Sequence, residues 1–275
     1  MNKNFLINNL NESRFNFGNV IQYLKKSKKY NFINFKNINI HIYYNNTLDL
    51  NFIERVIKRF HTISPIKTFN IYLIMTPIKR FIPIRGFIKP ININGGYTTS
   101  TDNNIFIIRK EEFPKVILHE ILHHNIRINN NYWKDENINK LKKHFNLSPN
   151  LNLVPNEAIV EFWATIYHLY YISKEYNLNY EKIFSEELNY SLFKSNQLLN
   201  KYKKKWYEES NAFCYIIFKT IFLYNMKEFL KIYTYPYNQD KITDFLINNY
   251  KLPIIKKNPT KIDNNSLRIM IYSDY

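Results

Sequence analysis

One cysteine, Cys214, and four glycines are all that a chain of 275 residues has of either. A single thiol excludes an internal disulfide and any zinc knuckle built from several cysteines, so an ion held within one chain must be taken by histidine and carboxylate. Phe213, Ile216, Ile217 and Phe218 surround Cys214 with an apolar helix face, where a thiol fills space rather than attacks. No run reaches the ~18 to 20 consecutive apolar residues of a membrane span. The Asn-rich start, residues 1–11, lacks the apolar stretch and small-residue cleavage site of a signal peptide. A soluble, intracellular protein without a membrane partner is expected.

Charge is unbalanced, with 39 basic residues against 22 acidic ones. The net charge is +17, with 31 lysines against 8 arginines. A basic surface releases counterions from phosphate and so suggests nucleic acid. Lys, Asn, Ile, Tyr and Phe are all enriched, however, and all have A/T-rich codons, so base composition accounts for most of the excess. The densest basic run, residues 201–205 (KYKKK), follows a helical stretch and reads as a solvated helix end. A nucleic-acid partner is therefore not expected. Hydrophobic residues at 45% and aromatics at 17% exclude a disordered chain, and the length suits one enzyme-sized unit.

Along the chain, residues 38–44 (INIHIYY) read as a strand, 51–60 (NFIERVIKRF) as an amphipathic helix, and 71–75 (IYLIM) as a buried strand. A proline-rich loop follows, with Pro77, Pro83 and Pro90. The stretches 97–101 and 105–108, joined by an Asp-Asn-Asn turn, predict a hairpin. Two of the four glycines, Gly95 and Gly96, precede it, where the backbone needs positive φ or close approach to a ligand. From Pro114 onward the pattern is helical: a first helix running to Ile126, then helices over about 135–145, 155–175, 180–204, 209–233 and 240–250, and a final strand, SLRIMIY. The expectation is an α+β protein. A mixed α/β part, residues 1–112, faces a mainly helical part, residues 113–275, across a cleft, the two forming one catalytic unit.

The first of those helices carries VILHEILHH. Positions i and i+4 share a helix face, so His119 and His123 can direct imidazole nitrogens at one ion while Glu120 lies beside it. A surface helix would also tolerate these residues. Val116, Ile117, Leu118, Ile121 and Leu122 instead imply a buried helix, where two histidines and a glutamate need partners. A catalytic zinc takes three protein ligands, and HExxH supplies two. The metzincin continuation would need Gly and His where Ile126 and Asn129 stand, so that class is excluded.

The segment NEAIVE, residues 156–161, resembles the NExx[SAV][DE] segment that follows HExxH in thermolysin-like gluzincins, although the stretch between the two motifs is longer here. That resemblance implies Glu157 as the third zinc ligand and Glu161 as an acceptor for the other ring nitrogen of a ligand histidine, His119. The reverse assignment of the two glutamates and an ordinary acidic pair on an amphipathic helix both stay open. Over roughly residues 70–272, TPIKRFIP, NGGYTTS, IFIIRKEEFPKVILHEILHH, NEAIVEFWA, ESNAFCYIIFKTIFLYN and SLRIMIY together resemble a family of gluzincin-like metallopeptidases of large DNA viruses of eukaryotes. The resemblance implies a zincin-like fold, one Zn2+ per chain, a peptide or protein substrate, and a place in host cytoplasm or the virion.

In such a site Glu120 acts as general base and returns the proton to the leaving amine. The oxyanion needs a further donor. Tyr215 is the first candidate, with Arg268 and Tyr97 behind it. Extended substrate would pair with a strand edge, Gly95 to Thr99 (with Gly96, Tyr97 and Thr98) or Ile105 to Ile108. His41, His61, His124, His144 and His168 take surface or core roles. Two other classes remain: a zincin scaffold of a virus kept for structure or interaction without turnover, and a basic nucleic-acid-associated factor with a structural metal. Glu120 argues against the first, and three ligands with a base beside them argue against the second.

Overall fold

The apolar run at 71–75 and the alternation at 38–44 become neighbouring strands of one sheet. The computed structural model describes residues 3–13, 17–63, 68–99, 102–125, 133–234 and 237–273. Helices α1 (Lys3–Glu12) and α2 (Gly18–Lys26) come first, then β1 (Lys29–Phe35), β2 (Ile38–Tyr44), α3 (Leu50–Ile63) and β3 (Phe69–Ile74). A turn of helix, α4 (Pro90–Ile93), leads into the hairpin of β4 (Gly96–Thr98) and β5 (Asn104–Ile107). The rest is helical: α5 (Phe113–Leu122), α6 (Asp135–His144), α7 (Asn156–Glu175), α8 (Tyr180–Lys201), a π-helix (Phe213–Phe218), α9 (Lys219–Tyr224), α10 (Met226–Ile232) and α11 (Gln239–Asn248). The class is α+β, as expected.

The sheet order is β1-β2-β3-β5-β4. β2, β3 and β5 are parallel, and the edge strands β1 and β4 run antiparallel to their neighbours. Successive side chains on a strand point to opposite faces. Ile40, Ile42, Ile71, Leu73, Ile105 and Ile107 face α3 and α5 and enter the main core. Tyr43, Tyr72, Ile74 and Phe106 face the other way, under α1 and α2. Burial on both faces explains why 71–75 reads as a continuous apolar run rather than an alternation. The main core continues through Phe162, Phe218, Phe222, Phe229 and Leu246, so residues before and after 112 share it.

Four expectations change. SLRIMIY forms no strand. Its amides are taken by buried carboxylates instead of a neighbouring strand: Ile269 N and Met270 N donate to Glu112 Oε1 at 2.9 and 3.0 Å, and Ile271 N donates to Glu187 Oε2 at 2.8 Å. The helix expected over 209–233 starts later and divides, because Glu208 accepts from Ala212 N and Phe213 N at 2.6 and 2.8 Å and starts the π-helix. The break at Asn225, with φ −107 and ψ 35, then separates α9 from α10. The helix expected to run to 204 ends at Lys201, and the one expected to run to Ile126 ends at Leu122. Thr101, Ile126 and Asn129 lie outside the described residues. Among the described residues no helix is long and apolar enough to cross a membrane.

Candidate metal centre

Residues four apart share a helix face. Lys115, His119 and His123 form such a row on α5 and at its C-cap, and Glu157 and Glu161 form one on α7. The rows mesh in opposite chain directions: Lys115 meets Glu161, His119 lies between Glu161 and Glu157, and His123 meets Glu157. His119 Nδ1 is 2.8 Å from Glu161 Oε2, while His119 Nε2 is 3.2 Å from Glu157 Oε2. His123 Nε2 lies 3.1 Å from His119 Nε2 and 3.4 Å from Glu157 Oε2. Two Nε2 atoms and one carboxylate oxygen therefore converge, and His119, His123 and Glu157 could together hold a metal ion. Glu161 addresses the opposite nitrogen of His119, so Glu157 is the carboxylate that joins the three-donor group.

Burial alone would lower the pKa of His119, but its hydrogen bonds to Glu157 and Glu161 outweigh that and raise it to about 9. Burial would raise Glu157 and Glu161. Against it, the two histidines hold Glu157 well below the usual carboxylate range, and Lys115, with His119, holds Glu161 down at about 2. Glu120 moves upward, through burial first and the Glu157 carboxylate second, against the pull of His119 and His123. A base so placed gives up its charge more easily than a surface glutamate.

A cavity of ≈ 20 Å³ adjoins one of the three, His119, with Arg80, Val116, Glu120, Tyr215 and Ile269 also in its wall. The π-helix brings Tyr215 there: its ring meets the His119 imidazole edge-on, with centroids 5.6 Å apart. Burial, then the Glu157 carboxylate, pushes the Tyr215 phenol far up, so it remains an O–H donor. π-Helical turns recur at functional sites, yet nothing in the residue pattern of 209–233 distinguishes one from an ordinary helix.

Gly95 and Gly96 also line the cavity, for a reason other than positive φ. A Cβ on Gly95 would lie 2.6 Å from Val116 Cγ2, and one on Gly96 would lie 2.7 Å from the Phe106 carbonyl oxygen. What excludes a side chain is thus the Arg80 guanidinium and α5 at Gly95, and β5 at Gly96. Ile105–Ile108 is not a free edge, since β5 is paired on both sides, whereas β4 ends the sheet. Thr99 N bonds Asn104 O and Ile108 N bonds Gly95 O, so by alternation the backbone groups of Gly96 and Thr98 point to the open side. Thr98 Oγ1 is 2.6 Å from His124 Nε2. Tyr97 faces the opposite side of the sheet, stacked between Phe17 and Phe106 with centroids at 5.9 and 4.8 Å, and so lies away from the donors. Arg268 donates to Ser273 Oγ at 2.6 Å.

Lys115, Arg80 and Glu112 are neighbours of the site that residue pattern alone did not pick out. Glu112 caps α5 at φ 60 and pairs with Arg80, both fully buried. Charged residues at a helix start or in an apolar helix ordinarily read as solvated, and only tertiary contact shows otherwise. Of the other histidines, His168 is buried and donates to the Tyr272 carbonyl at 3.1 Å, and His41 stacks on Tyr72. No family model matches this chain, and no curated protein or solved structure matches it either.

Proposed function

We propose that this chain is a zinc-dependent hydrolase of peptide bonds, of gluzincin type, with His119, His123 and Glu157 as metal ligands and Glu120 as general base. The observation that carries the reading is the spacing of the three donor atoms. Around a tetrahedral ion with ligand bonds of about 2.0–2.1 Å, neighbouring donors stand about 3.3 Å apart. The separations of 3.1, 3.2 and 3.4 Å bracket that value. Two imidazoles and one carboxylate suit zinc and leave a position open.

Zinc in this position would supply Lewis acidity toward a carbonyl oxygen and a water whose pKa falls to near ~7. The chain's own groups do the rest. Glu120 takes the water's proton on its carboxylate and passes it to the leaving nitrogen. Tyr215 offers its O–H to the developing oxyanion. Glu161 keeps the His119 ring in one orientation through Nδ1. An extended peptide would add to the edge of β4 at Gly96 and Thr98 and lie between that strand and the π-helix. A zincin-like fold is part of the same proposal, supported by an antiparallel edge strand beside the HExxH helix.

Elemental analysis of metal-replete protein tests the reading. Wild type should carry about one zinc per chain, Glu157→Ala should lose most of it, and Glu120→Gln should keep it. A peptide library should then be cleaved by wild type and not by Glu120→Gln. Zinc without cleavage would leave a non-catalytic scaffold. Wild type without zinc would end the hydrolase reading.

A further inference from the structure

α5 is apolar around its motif, yet one turn before His119 it carries a lysine that is 1% exposed. Burying an ammonium group costs several kcal/mol unless a counter-charge meets it, and an apolar residue of similar volume would avoid that cost. Lys115 Nζ meets Glu161 Oε1, and the other oxygen of the same carboxylate, Oε2, takes His119 Nδ1. The two glutamates of α7 are one turn apart and face the same way, so helix spacing alone does not tell which of them joins the converging Nε2 atoms. Lys115 stands at the Glu161 end of the row; Glu157, at the other end, meets only histidines among these groups.

We propose that Lys115 is a positioning residue that assigns the two carboxylates, anchoring Glu161 by one oxygen so that its other oxygen orients His119 and Glu157 alone is left to the ion. This rests on the zinc reading above. With Glu161 tethered at both oxygens, His119 presents Nδ1–H to it and turns the Nε2 lone pair toward Glu157 and His123. Without the tether, Glu161 keeps a single contact and the ring loses its fixed direction. Lys115 would act only through Glu161, and that gives the inference a signature distinct from a structural role.

The test is a double-mutant cycle on zinc affinity, read by competition with a chromophoric chelator, with folding followed by circular dichroism. Lys115→Met should weaken zinc binding by about 10- to 100-fold, as loss of such an outer partner does. Glu161→Gln should do likewise, and the double variant should be no worse than Glu161→Gln alone. Where Lys115→Met does not fold, Lys115→Gln keeps a polar group at the buried position and carries the same expectation. Affinity within about twofold of wild type in a folded Lys115 variant would overturn the proposal, as would losses that multiply in the double variant. Wild type that takes up no zinc would be a separate result, overturning the metal reading and this inference with it.

Discussion

His119 is gripped at both ring nitrogens, with Glu161 at Nδ1 and with Glu157 and His123 against Nε2. Glu120, the next residue, lines the same cavity as His119 and stands outside the three-donor group. Glu120→Gln is therefore expected to keep zinc while lowering peptide turnover by about 10²- to 10⁴-fold, a contrast that metal analysis and a cleavage assay on one preparation would show. His168 behaves differently. Burial, with Arg59 adding to it, lowers its pKa from 6.5 to about 3. A depressed base contributes stability that is fully present above its unfolded pKa and is lost as pH falls toward the folded one. Between pH 7 and 5 that loss is about 2 kcal/mol. The drop in urea midpoint across this window should shrink in His168→Gln, which can still donate to the Tyr272 carbonyl. An unchanged drop would refute the assignment. At this scale the HExxH residues were legible because i, i+4 spacing puts them on one face. Lys115 was not, because a lysine in a helix usually reaches solvent.

At the level of elements, the site depends on how tightly α5 lies over the hairpin. Gly96 has the Phe106 carbonyl oxygen 2.7 Å from where a Cβ would stand, and backbone of a paired strand cannot easily give way. Gly96→Ala should cost about 1–3 kcal/mol, seen as a lower melting temperature, and Val116→Ala should not restore it. A melting temperature equal to wild type would show that the hairpin can shift. The hairpin, β2, β3 and the helices from α5 to α8 were readable from period and turn chemistry. The purpose of the glycine pair was not, since sequence shows that a side chain is missing and not what has taken its place. The π-helix was equally hidden. It arises where Glu208 captures the first amides, and it turns Tyr215 toward His119.

Over the whole molecule, buried charge joins the site to the C-terminal segment. Glu112 pairs with Arg80 through one oxygen and holds Ile269 N and Met270 N with the other. Lys219 donates to the Ile269 carbonyl at 2.9 Å. Ile269 in turn forms part of the cavity wall. Glu112→Gln removes the carboxylate that pairs directly with the buried Arg80 guanidinium, and a loss of about 3–5 kcal/mol in urea unfolding is expected, with faster proteolysis after residue 265. A loss under about 1 kcal/mol, the usual worth of an exposed pair, would mean that the segment is held by its apolar contacts instead. The strand expected at SLRIMIY failed for this reason: its apolar residues are buried as a strand's would be, but side-chain carboxylates rather than a neighbouring strand satisfy its backbone.

The sequence by itself determined the local features. Periodicity placed most helices and the central strands, one cysteine restricted metal chemistry to histidine and carboxylate, and helical spacing put His119, His123 and Glu120 together. Whether Glu157 or Glu161 joins them was open, because residues one turn apart are equivalent until a second helix faces them. The antiparallel meshing of α5 with α7 separated the two, setting Glu157 against both Nε2 atoms and Glu161 between Lys115 and Nδ1. Which carboxylate meets which nitrogen is a matter of distances between segments far apart in the chain, and only packing sets those.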